Sequence, residues 1–384
     1  MTEHLSFGGA EVVLTEYLRN IDKSRYKVSL VMRDDLGEKN YLLDRVPQDV
    51  VVKTVFSAKK LARHKLLLAK SFSDKIQNHQ KKMLYKRDLV QGFRDALKEL
   101  KPDIVIDFAP VLNRFMDDFK DYKMILWMHG QKSHMPRWER YKYFLRMRKY
   151  DKIVLICEEM REQFIQFFPS VQDKFVVIYN PFDFERIKAM ANDESELTEQ
   201  DRELMNREYF VSIGRLVPGK DFKTIIAAGK ILKERGIEFT HYILGSGELL
   251  QPLQEQINKS SLQKNVFLLG PKKNPFTWLK KSQMFVHSAL REGLPTVIIE
   301  SMILEKPVIA CTCPTGPREI LEDGQAGALY PVGDAKALAD NMQRVLEDKT
   351  LRGKYLDRAQ GRVQVFSKSH VMPQFYNLME SLLK

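Results

Sequence analysis

Residues 209–220 read YFVSIGRLVPGK, a short apolar run followed by a loop that ends in a lysine. The run at 209–213 is rich in the aromatic and β-branched residues that favour strands. The segment at 222–235, which follows the loop, has the periodicity of an amphipathic helix. Strand, loop and helix together predict an α/β fold, and such a loop is where ligands bind in an open parallel sheet.

The same alternation of strands and helices continues in both directions along the chain. Short β-branched runs occur at 28–32, 50–55, 104–108, 124–128, 153–157 and 176–179, and again at 209–213, 241–244, 266–269, 284–287 and 308–310. Alternation of this kind predicts parallel sheets covered by helices on both faces. Two blocks of it predict two doubly wound, Rossmann-like domains.

The break between the two blocks lies at residues 180–183, where an Asn-Pro turn precedes an acidic, helix-prone segment. We therefore predict a first domain at 1–182 and a second at 183–366. An amphipathic segment at 367–384 is expected to form a C-terminal helix that packs back on the first domain. A chain of 384 residues fits two domains of this size.

Composition excludes several classes of protein. Hydrophobic residues make up 44% of the chain and charged residues 29%, as in a globular protein rather than a disordered one. No apolar run approaches the roughly 20 residues that cross a bilayer. Three cysteines indicate no disulfide framework and fit a reducing, cytoplasmic location. Without nearby histidines they indicate no metal site.

The net charge of +12 is concentrated in the first half, since residues 1–180 carry +10 and the remainder +2. Residues 59–87 hold ten basic residues and one acid, and residues 137–152 interleave bases with aromatic residues. Such stretches indicate an anionic membrane surface, an anionic glycolipid or a nucleic acid, unless they are a solvated helix face. We predict no nucleic-acid binding and a peripheral position on the inner face of the cell membrane.

Two cations lie on the loop that follows residues 209–213. The guanidinium of Arg215 and the ammonium of Lys220 are suited to clamp a diphosphate, one as a fork and the other as a point charge. The helix that follows adds a positive N-terminus. Taken alone, loop cations of this kind are equally typical of an ordinary surface.

Two carboxylates flank the segment EGLPTVIIE at residues 292–300. Eight residues are about 2.2 helical turns at ~3.6 residues per turn, so Glu292 and Glu300 can face one site. Carboxylates accept hydrogen bonds from sugar hydroxyls and ribose diols, and Gly293 lets a ligand approach the backbone. The alternative is a helix surface, but the apolar residues between the two glutamates favour a buried helix.

Three other motifs carry weaker signals. Gly245-Ser-Gly247 is followed by Leu250 where a dinucleotide fingerprint needs glycine, which disfavours a nicotinamide dehydrogenase and predicts a tight turn. The glycines of FGGAE at 7–11 open a helix and either bind an anion or hydroxyl or form a structural turn. His129, just after residues 124–128, either hydrogen-bonds a substrate or is a structural histidine.

Together these residues resemble glycosyltransferase family 4, the retaining enzymes of the GT-B fold, in which two Rossmann-like domains face each other across a cleft. The resemblance covers nearly the whole chain. Its most specific part is the pair of glutamates at 292 and 300 with the residues that follow to 310, and next come Arg215 and Lys220. The stretch PTGPREIL at 314–321 resembles a subgroup that builds bacterial surface polysaccharides and lipopolysaccharides.

The resemblance also implies roles. It implies a donor-binding set: Arg215 and Lys220 for the diphosphate, Glu292 with the backbone of Gly293, Leu294, Pro295 and Thr296 for the sugar and phosphate, and Glu300 for the ribose. It further implies that His129 contacts the donor sugar near the reaction centre and that Gly9 approaches the phosphate or the acceptor. His129 and Glu292 are therefore the expected catalytic residues.

The implied activity is the retaining transfer of a hexose or N-acetylhexosamine from a nucleotide sugar, a UDP-sugar, to a saccharide or lipid-linked saccharide acceptor. No cofactor is implied, because GT-B enzymes generally need no metal, and the chain has no Asp-x-Asp triplet. Two rivals remain open: a catalytically silent scaffold that binds a partner or membrane, and a nucleotide-sugar epimerase.

The chain departs from the family pattern at one point. Family members begin with a β-strand before the Gly-Gly loop, and here only residues 1–7 precede that loop. The first strand is therefore predicted to be missing or shortened, and the chain to be N-terminally truncated. Since that strand is usually central, its loss would leave backbone groups of its neighbours unpaired.

Overall fold

The computed structural model describes residues 1–6, 8–63, 72–130 and 135–384. Residues 64–71, within the basic stretch 59–87, and Phe7 of the predicted Gly-Gly loop lie outside the described residues. The chain forms two compact units. Unit 1 comprises Met1–Ile156, Arg161–Pro181 and Val371–Lys384, and unit 2 comprises Cys157–Met160 and Phe182–His370.

The elements up to residue 181 alternate between strands and helices. The strands are β1 (Ser29–Asp34), β2 (Val51–Phe56), β3 (Ile104–Asp107), β4 (Lys123–Met128), β5 (Lys152–Leu155) and β6 (Phe175–Val177). The helices are α1 (Gly9–Asn20), α2 (Ala58–Arg63), α3 (Phe72–Leu100), α4 (Arg137–Met147) and α5 (Glu158–Phe167).

The elements after residue 181 continue the alternation. The strands are β7 (Phe210–Ile213), β8 (His241–Leu244), β9 (Val266–Gly270), β10 (Met284–His287), β11 (Val308–Cys311) and β12 (Ala328–Tyr330). The helices are α6 (Phe184–Asn192), α7 (Glu199–Met205), α8 (Phe222–Glu234), α9 (Leu250–Lys259), α10 (Pro275–Lys281), α11 (Thr296–Ile303), α12 (Pro317–Ile320), α13 (Ala335–Glu347), α14 (Lys349–Val363) and α15 (Lys368–Leu383). No helix in the described part of the chain is long and apolar enough to span a bilayer.

The strands of unit 1 are all parallel, in the orders β1-β2 and β3-β4-β5-β6. The first residues of the chain lie between these two groups. Thr2 pairs with Met32 of β1 and donates its N–H to the carbonyl of Val31 (3.1 Å), while the carbonyl of Met1 accepts from the N–H of Phe108, just after β3 (2.9 Å). The first residues thus take the place of a strand between β1 and β3, with one isolated bridge. A cavity of about 380 Å³ beside them is lined by parts of β1 and β3.

The sheet of unit 2 is parallel throughout and has the order β12-β11-β10-β7-β8-β9. Its first strand in the chain, β7, therefore pairs with its fourth, β10, and the chain runs outward from this pair in both directions. This is the topological switch point of a doubly wound sheet, the place at which ligands bind in open α/β folds. Strand β12 is an edge strand that the sequence pattern did not indicate.

Burial on both faces explains why the strands read as continuous apolar runs. Strands β8, β10 and β11 are buried along their whole length, as expected for a parallel sheet covered by helices. In unit 1 the last helix contributes Tyr376, whose hydroxyl donates to the carbonyl of Asn20 (3.1 Å) and accepts from the N–H of Asp22 (2.9 Å). Residues from Val371 onward belong to unit 1.

The turn after β8 is a tight one. Gly245 has a φ of +150°, and a Cβ there would lie 1.9 Å from the carbonyl oxygen of Gly214. The N–H of Leu216 donates to the carbonyl of Ser246 (2.8 Å). Glycine is required because the two backbones touch. The turn therefore holds the loop that follows β7 in place.

Candidate active site

The loops that follow β7 and β10 are joined at the switch point of unit 2. The N–H of Leu290 donates to the carbonyl of Gly219 (2.9 Å), and the hydroxyl of Ser288 donates to the carbonyl of Lys220 (2.8 Å). The two loops are thus held together, because backbone carbonyls of the first accept hydrogen bonds from the second.

Three side chains from this region meet in one cluster. The ammonium of Lys220 lies 2.5 Å from Oε1 of Glu292, and Nε2 of His287, the last residue of β10, lies 3.2 Å from the same oxygen. The side chain of Glu292 is 13% exposed and that of His287 is 4% exposed. A mostly buried carboxylate is therefore held between a lysine and a histidine.

The electrostatics of Glu292 follow from these contacts. Burial alone raises the pKa of the carboxyl, but the hydrogen bond from His287 and the charge of Lys220 outweigh it and lower the pKa to about 2. Glu292 is therefore ionised at neutral pH. It can accept hydrogen bonds from a ligand but cannot donate one.

The other predicted diphosphate residue, Arg215, lies two residues after the end of β7 and is exposed. It begins the loop that Lys220 ends, and the short turn Pro218–Lys220 leads into α8. The sheet thus brings Lys220 and Glu292 into contact, while Arg215 lies five residues upstream of Lys220 on the same loop.

The segment after Glu292 leads into α11, which begins at Thr296 with Pro295 as its N-cap. Leu294 and Pro295 are buried, and Gly293 is half-buried. Glu300 lies in the second turn of α11, half-buried. The predicted donor residues after Glu292 therefore lie on one short stretch of chain.

Hydrogen bonds from residues 314–315 also fix the backbone around Glu292. Its N–H donates to the carbonyl of Pro314 (2.8 Å), and its own carbonyl accepts from the N–H of Thr315 (3.2 Å). The hydroxyl of Thr315 donates to the carbonyl of Gly293 (2.7 Å). The segment PTG at 314–316 thus positions the carboxylate, a role that its sequence did not reveal.

The two remaining predicted site residues, His129 and Gly9, belong to unit 1. His129 follows β4, and its ring lies 4.4 Å from that of Phe108. Its Nε2 is buried and has no hydrogen-bond partner among the described residues. Burial lowers the pKa of His129 to about 3, so the ring is neutral. Gly9 is the first residue of α1 and is exposed.

Sequence reasoning missed His287, which contacts Glu292 directly. The residue ends a fully buried strand, and a lone histidine in an apolar run is more often structural than functional. The available signal was its position: it ends the strand that directly precedes the Glu292 loop.

Comparison with known proteins identifies the family. Residues 7–186 match the model of Glycosyltransferase Family 4, and residues 193–362 match that of the Glycosyl transferases group 1. An uncharacterized glycosyltransferase of Methanocaldococcus jannaschii is 31% identical over 336 residues, which cover 75% of this chain and 81% of that protein. The chain therefore belongs to the glycosyltransferases that these two models describe, as its motifs predicted. It is a glycosyltransferase.

Two further comparisons concern a relative and a solved structure. The N-acetylgalactosamine-N,N'-diacetylbacillosaminyl-diphospho-undecaprenol 4-alpha-N-acetylgalactosaminyltransferase of Campylobacter jejuni is 30% identical over 207 residues, 54% of each chain. The structure of Anabaena HepE in complex with UDP matches with a TM-score of 0.78 and 19% identity, covering 99% of this chain and 98% of that one. This likeness confirms the predicted GT-B fold.

The depressed pKa of Glu292 predicts a pH-dependent contribution to stability. The ion pair should stabilise unit 2 fully above the unfolded pKa of 4.5, and the contribution should decline as the pH falls towards about 2. Urea unfolding from pH 7 to 3.5 should therefore show the wild type more stable than Glu292→Gln by roughly 2–3 kcal/mol at pH 7. The difference should shrink as the pH falls below about 4.5.

The matched control is Glu255→Gln, which changes an exposed glutamate on α9. Its difference from the wild type should stay small at every pH. A difference for Glu292→Gln that is constant between pH 7 and 3.5 would contradict the depressed pKa.

Proposed function

We propose that this glycosyltransferase moves a hexose or N-acetylhexosamine from a UDP-sugar, with retention, to a saccharide or lipid-linked saccharide acceptor. The observation that carries the proposal is the Lys220–Glu292 pair at the switch point of unit 2. A nucleotide sugar supplies what each member of the pair binds: an anionic diphosphate for the cation and hydroxyl donors for the carboxylate.

Arg215 and Lys220 are the proposed clamp for the donor diphosphate. One is exposed and the other half-buried on a single loop that the Gly245 turn and Leu290 brace from two sides. Negative charge grows on the diphosphate as its bond to the sugar breaks. Cations already fixed in place stabilise that charge without having to reorganise.

The stretch from Glu292 to Glu300 is the proposed binding site for the donor sugar and the ribose. Glu292 is ionised and accepts sugar hydroxyls. The backbone of Gly293, Leu294, Pro295 and Thr296 leads to the N-terminus of α11, where backbone amides favour a phosphate. Glu300, in the second turn of α11, is assigned to the ribose hydroxyls.

Unit 1 is the proposed acceptor-binding domain, and unit 2 the donor-binding domain. His129 is assigned to the donor sugar by its match to the family's first-domain element, and its ring is neutral. Gly9, exposed at the start of α1, is assigned to the phosphate or the acceptor.

The relatives support the proposed donor and acceptor classes. HepE was crystallised with UDP, and the name of the Campylobacter enzyme contains a diphospho-undecaprenol acceptor. We accordingly propose a role in the synthesis of surface polysaccharide or lipopolysaccharide, in the cytoplasm at the inner face of the cell membrane.

The diphosphate assignment predicts the effect of removing either cation. Arg215→Ala and Lys220→Ala should each weaken UDP binding at least tenfold, because a hydrogen bond to a charged group contributes about 1.5–3 kcal/mol. Isothermal calorimetry with UDP measures this directly. Lys223→Ala, which removes an exposed lysine of α8 three residues further on, is the matched control and should leave the affinity unchanged.

Unchanged UDP affinity in both variants would show that the diphosphate binds elsewhere. A thermal-shift panel of UDP-, GDP- and ADP-sugars tests the base, and UDP-sugars should stabilise the protein most. Stronger stabilisation by a GDP- or ADP-sugar would contradict the proposed donor.

The same assignment makes a metal ion unnecessary. Since Arg215, Lys220 and the N-terminus of α11 supply positive charge to the leaving diphosphate, turnover should survive EDTA at millimolar concentration. Complete loss of turnover in EDTA, restored by Mg²⁺ or Mn²⁺, would show that a metal supplies that charge instead.

The surface of α4 supports the proposed peripheral membrane position. Trp138 is 59% exposed and Tyr141 62%, and Nζ of Lys142 lies 4.7 Å from the centre of the Trp138 ring. Residues at this spacing share one face of a helix. Aromatic rings and bases together favour the interface of an anionic bilayer.

Liposome flotation tests the membrane proposal. Vesicles containing anionic lipid should bind the protein at low salt, binding should fade as the salt concentration rises, and neutral vesicles should not bind. Reversing Lys59, Lys60, Lys81 and Lys82 to Glu should abolish binding, because each base near the surface contributes on the order of 1 kcal/mol. Donor binding should not change.

Exposed lysines of unit 2 provide a control, because the same charge reversal can be made there. Reversing Lys259 and Lys273 to Glu should leave vesicle binding largely intact. If the wild type does not bind anionic vesicles at low salt, the basic stretches are a solvated surface and the acceptor is soluble.

A further inference from the structure

The imidazole of His287 connects the Glu292 carboxylate to a buried thiol. Its Nε2 faces Oε1 of Glu292 at 3.2 Å, and its Nδ1 faces Sγ of Cys311, in the neighbouring strand β11, at 3.7 Å. The thiol is itself held by Ala289, whose N–H lies 3.1 Å and whose carbonyl oxygen lies 3.2 Å from Sγ. The ring is therefore fixed at both nitrogens, since each faces a polar group that is anchored to the sheet.

Glu292 has two partners that come from different kinds of element. Within the described part of the chain, the hydrogen bonds to its carboxylate from Lys220 and His287 both fall on Oε1. Lys220 reaches the carboxylate from a loop at the end of a flexible side chain. His287 reaches it from a fully buried strand.

The proposed diphosphate site places a conflicting demand on Lys220. A lysine that turns to the donor diphosphate gives up part of its contact with Glu292. A mostly buried carboxylate that loses its counter-charge either costs several kcal/mol or takes up a proton. A protonated Glu292 would no longer present an anionic acceptor to the sugar hydroxyls.

We propose that His287, anchored by Cys311, is a positioning residue for the donor sugar: it holds the Glu292 carboxylate in place and keeps it ionised when Lys220 engages the diphosphate. The inference rests on the proposed function, because it takes Glu292 as the group that binds the sugar. It adds separate roles for the two residues: Lys220 binds the diphosphate, and His287 holds the Glu292 carboxylate.

The charges around the ring agree with this role. The titratable groups that contact the ring are Glu292 and Cys311. Beyond them lie Lys220, which pairs with Glu292, Cys313, which interacts with Cys311, and Tyr330, whose hydroxyl donates to the backbone carbonyl of His287. Burial alone lowers the pKa of His287, but the hydrogen bonds to Cys311 and Glu292 outweigh it and raise the pKa to about 9. The ring is thus a cation at neutral pH, and this charge is lost only as the pH rises through about 9.

Replacing His287 should weaken the binding of a UDP-sugar but not the binding of UDP. UDP contacts the proposed diphosphate clamp but has no sugar to offer to Glu292. The relevant quantity is therefore the ratio of the dissociation constant of UDP to that of a UDP-sugar. The probe is the UDP-sugar that most stabilises the wild type among UDP-glucose, UDP-galactose and their N-acetylated forms.

Calorimetry with both ligands at pH 5.5, 7 and 8 tests the proposal. In the wild type the preference for the UDP-sugar over UDP should be constant across this range, because Glu292 stays ionised. His287→Leu should bind UDP within twofold of the wild type but lose about tenfold in preference at pH 7, the lower range of a charge-assisted hydrogen bond. The loss should be larger at pH 5.5, because the uncompensated carboxyl then takes up a proton more readily.

Conservative variants separate positioning from packing. His287→Gln keeps an N–H donor near the position of Nε2 and should recover most of the preference at pH 7; it also serves as the test if the leucine variant does not fold. Cys311→Ala should shift the preference in the same direction by a smaller factor, and Cys311→Ser should restore it. His241→Leu is the matched control: His241 is equally buried, in β8, and pairs with Ser212 at 2.9 Å. It should lower the melting temperature without changing the preference.

The outcomes separate this inference from the proposed function. If Glu292→Gln lowers the preference but His287→Leu keeps it at every pH, the role of His287 is overturned and the proposed function stands. An equal loss of preference in His241→Leu and His287→Leu would also overturn it, as a packing effect. If Glu292→Gln itself keeps the preference, the sugar-binding assignment of Glu292 fails, and the role of His287 fails with it.

Discussion

The pairing of β7 with β10 is the constraint on which the rest of unit 2 depends. Both strands run in the same direction, so the loops at their carboxyl ends leave the sheet at one edge. The sheet then grows through β8 and β9 on one side and through β11 and β12 on the other. Because β7 and β10 are neighbours, these two loops lie side by side and contact each other. Lys220 and Glu292, 72 residues apart in the chain, meet for this reason.

Electrostatics then give the pair its chemical character. A carboxylate that is mostly removed from water is costly unless it is paired and hydrogen-bonded. Glu292 meets this requirement with the ammonium of Lys220, from the loop after β7, and the imidazole of His287, from β10. The surrounding backbone is also constrained. Thr315 hydrogen-bonds to the segment after β10, and the Gly245 turn packs against the loop after β7. The backbone that carries Lys220 and Glu292 is therefore held in place by contacts within unit 2.

Much of the fold and part of the candidate site could be predicted from local patterns. Apolar runs marked the strands of the unit 2 sheet except β12, whose three residues are too few to show a pattern. The spacing of Glu292 and Glu300 and the two cations of the β7 loop indicated a donor site. His287 was missed because an apolar strand with one histidine is typical of a core. The passage of Cys157–Met160 into unit 2 was also not predicted, since nothing in those residues differs from the start of an ordinary helix.

The sequence by itself determined the α/β class, the two blocks of alternating elements, the concentration of positive charge in the first half and the identities of the polar residues at strand ends. These properties depend on residues that are neighbours in the chain, and periodicity and composition report them directly. Only the tertiary structure decided the strand order, the placement of the first residues between β1 and β3, the shared oxygen of Glu292 and the direction of its pKa shift. Each of these depends on groups that are remote in the chain, and distance, burial and charge between such groups exist only once the sheet has formed.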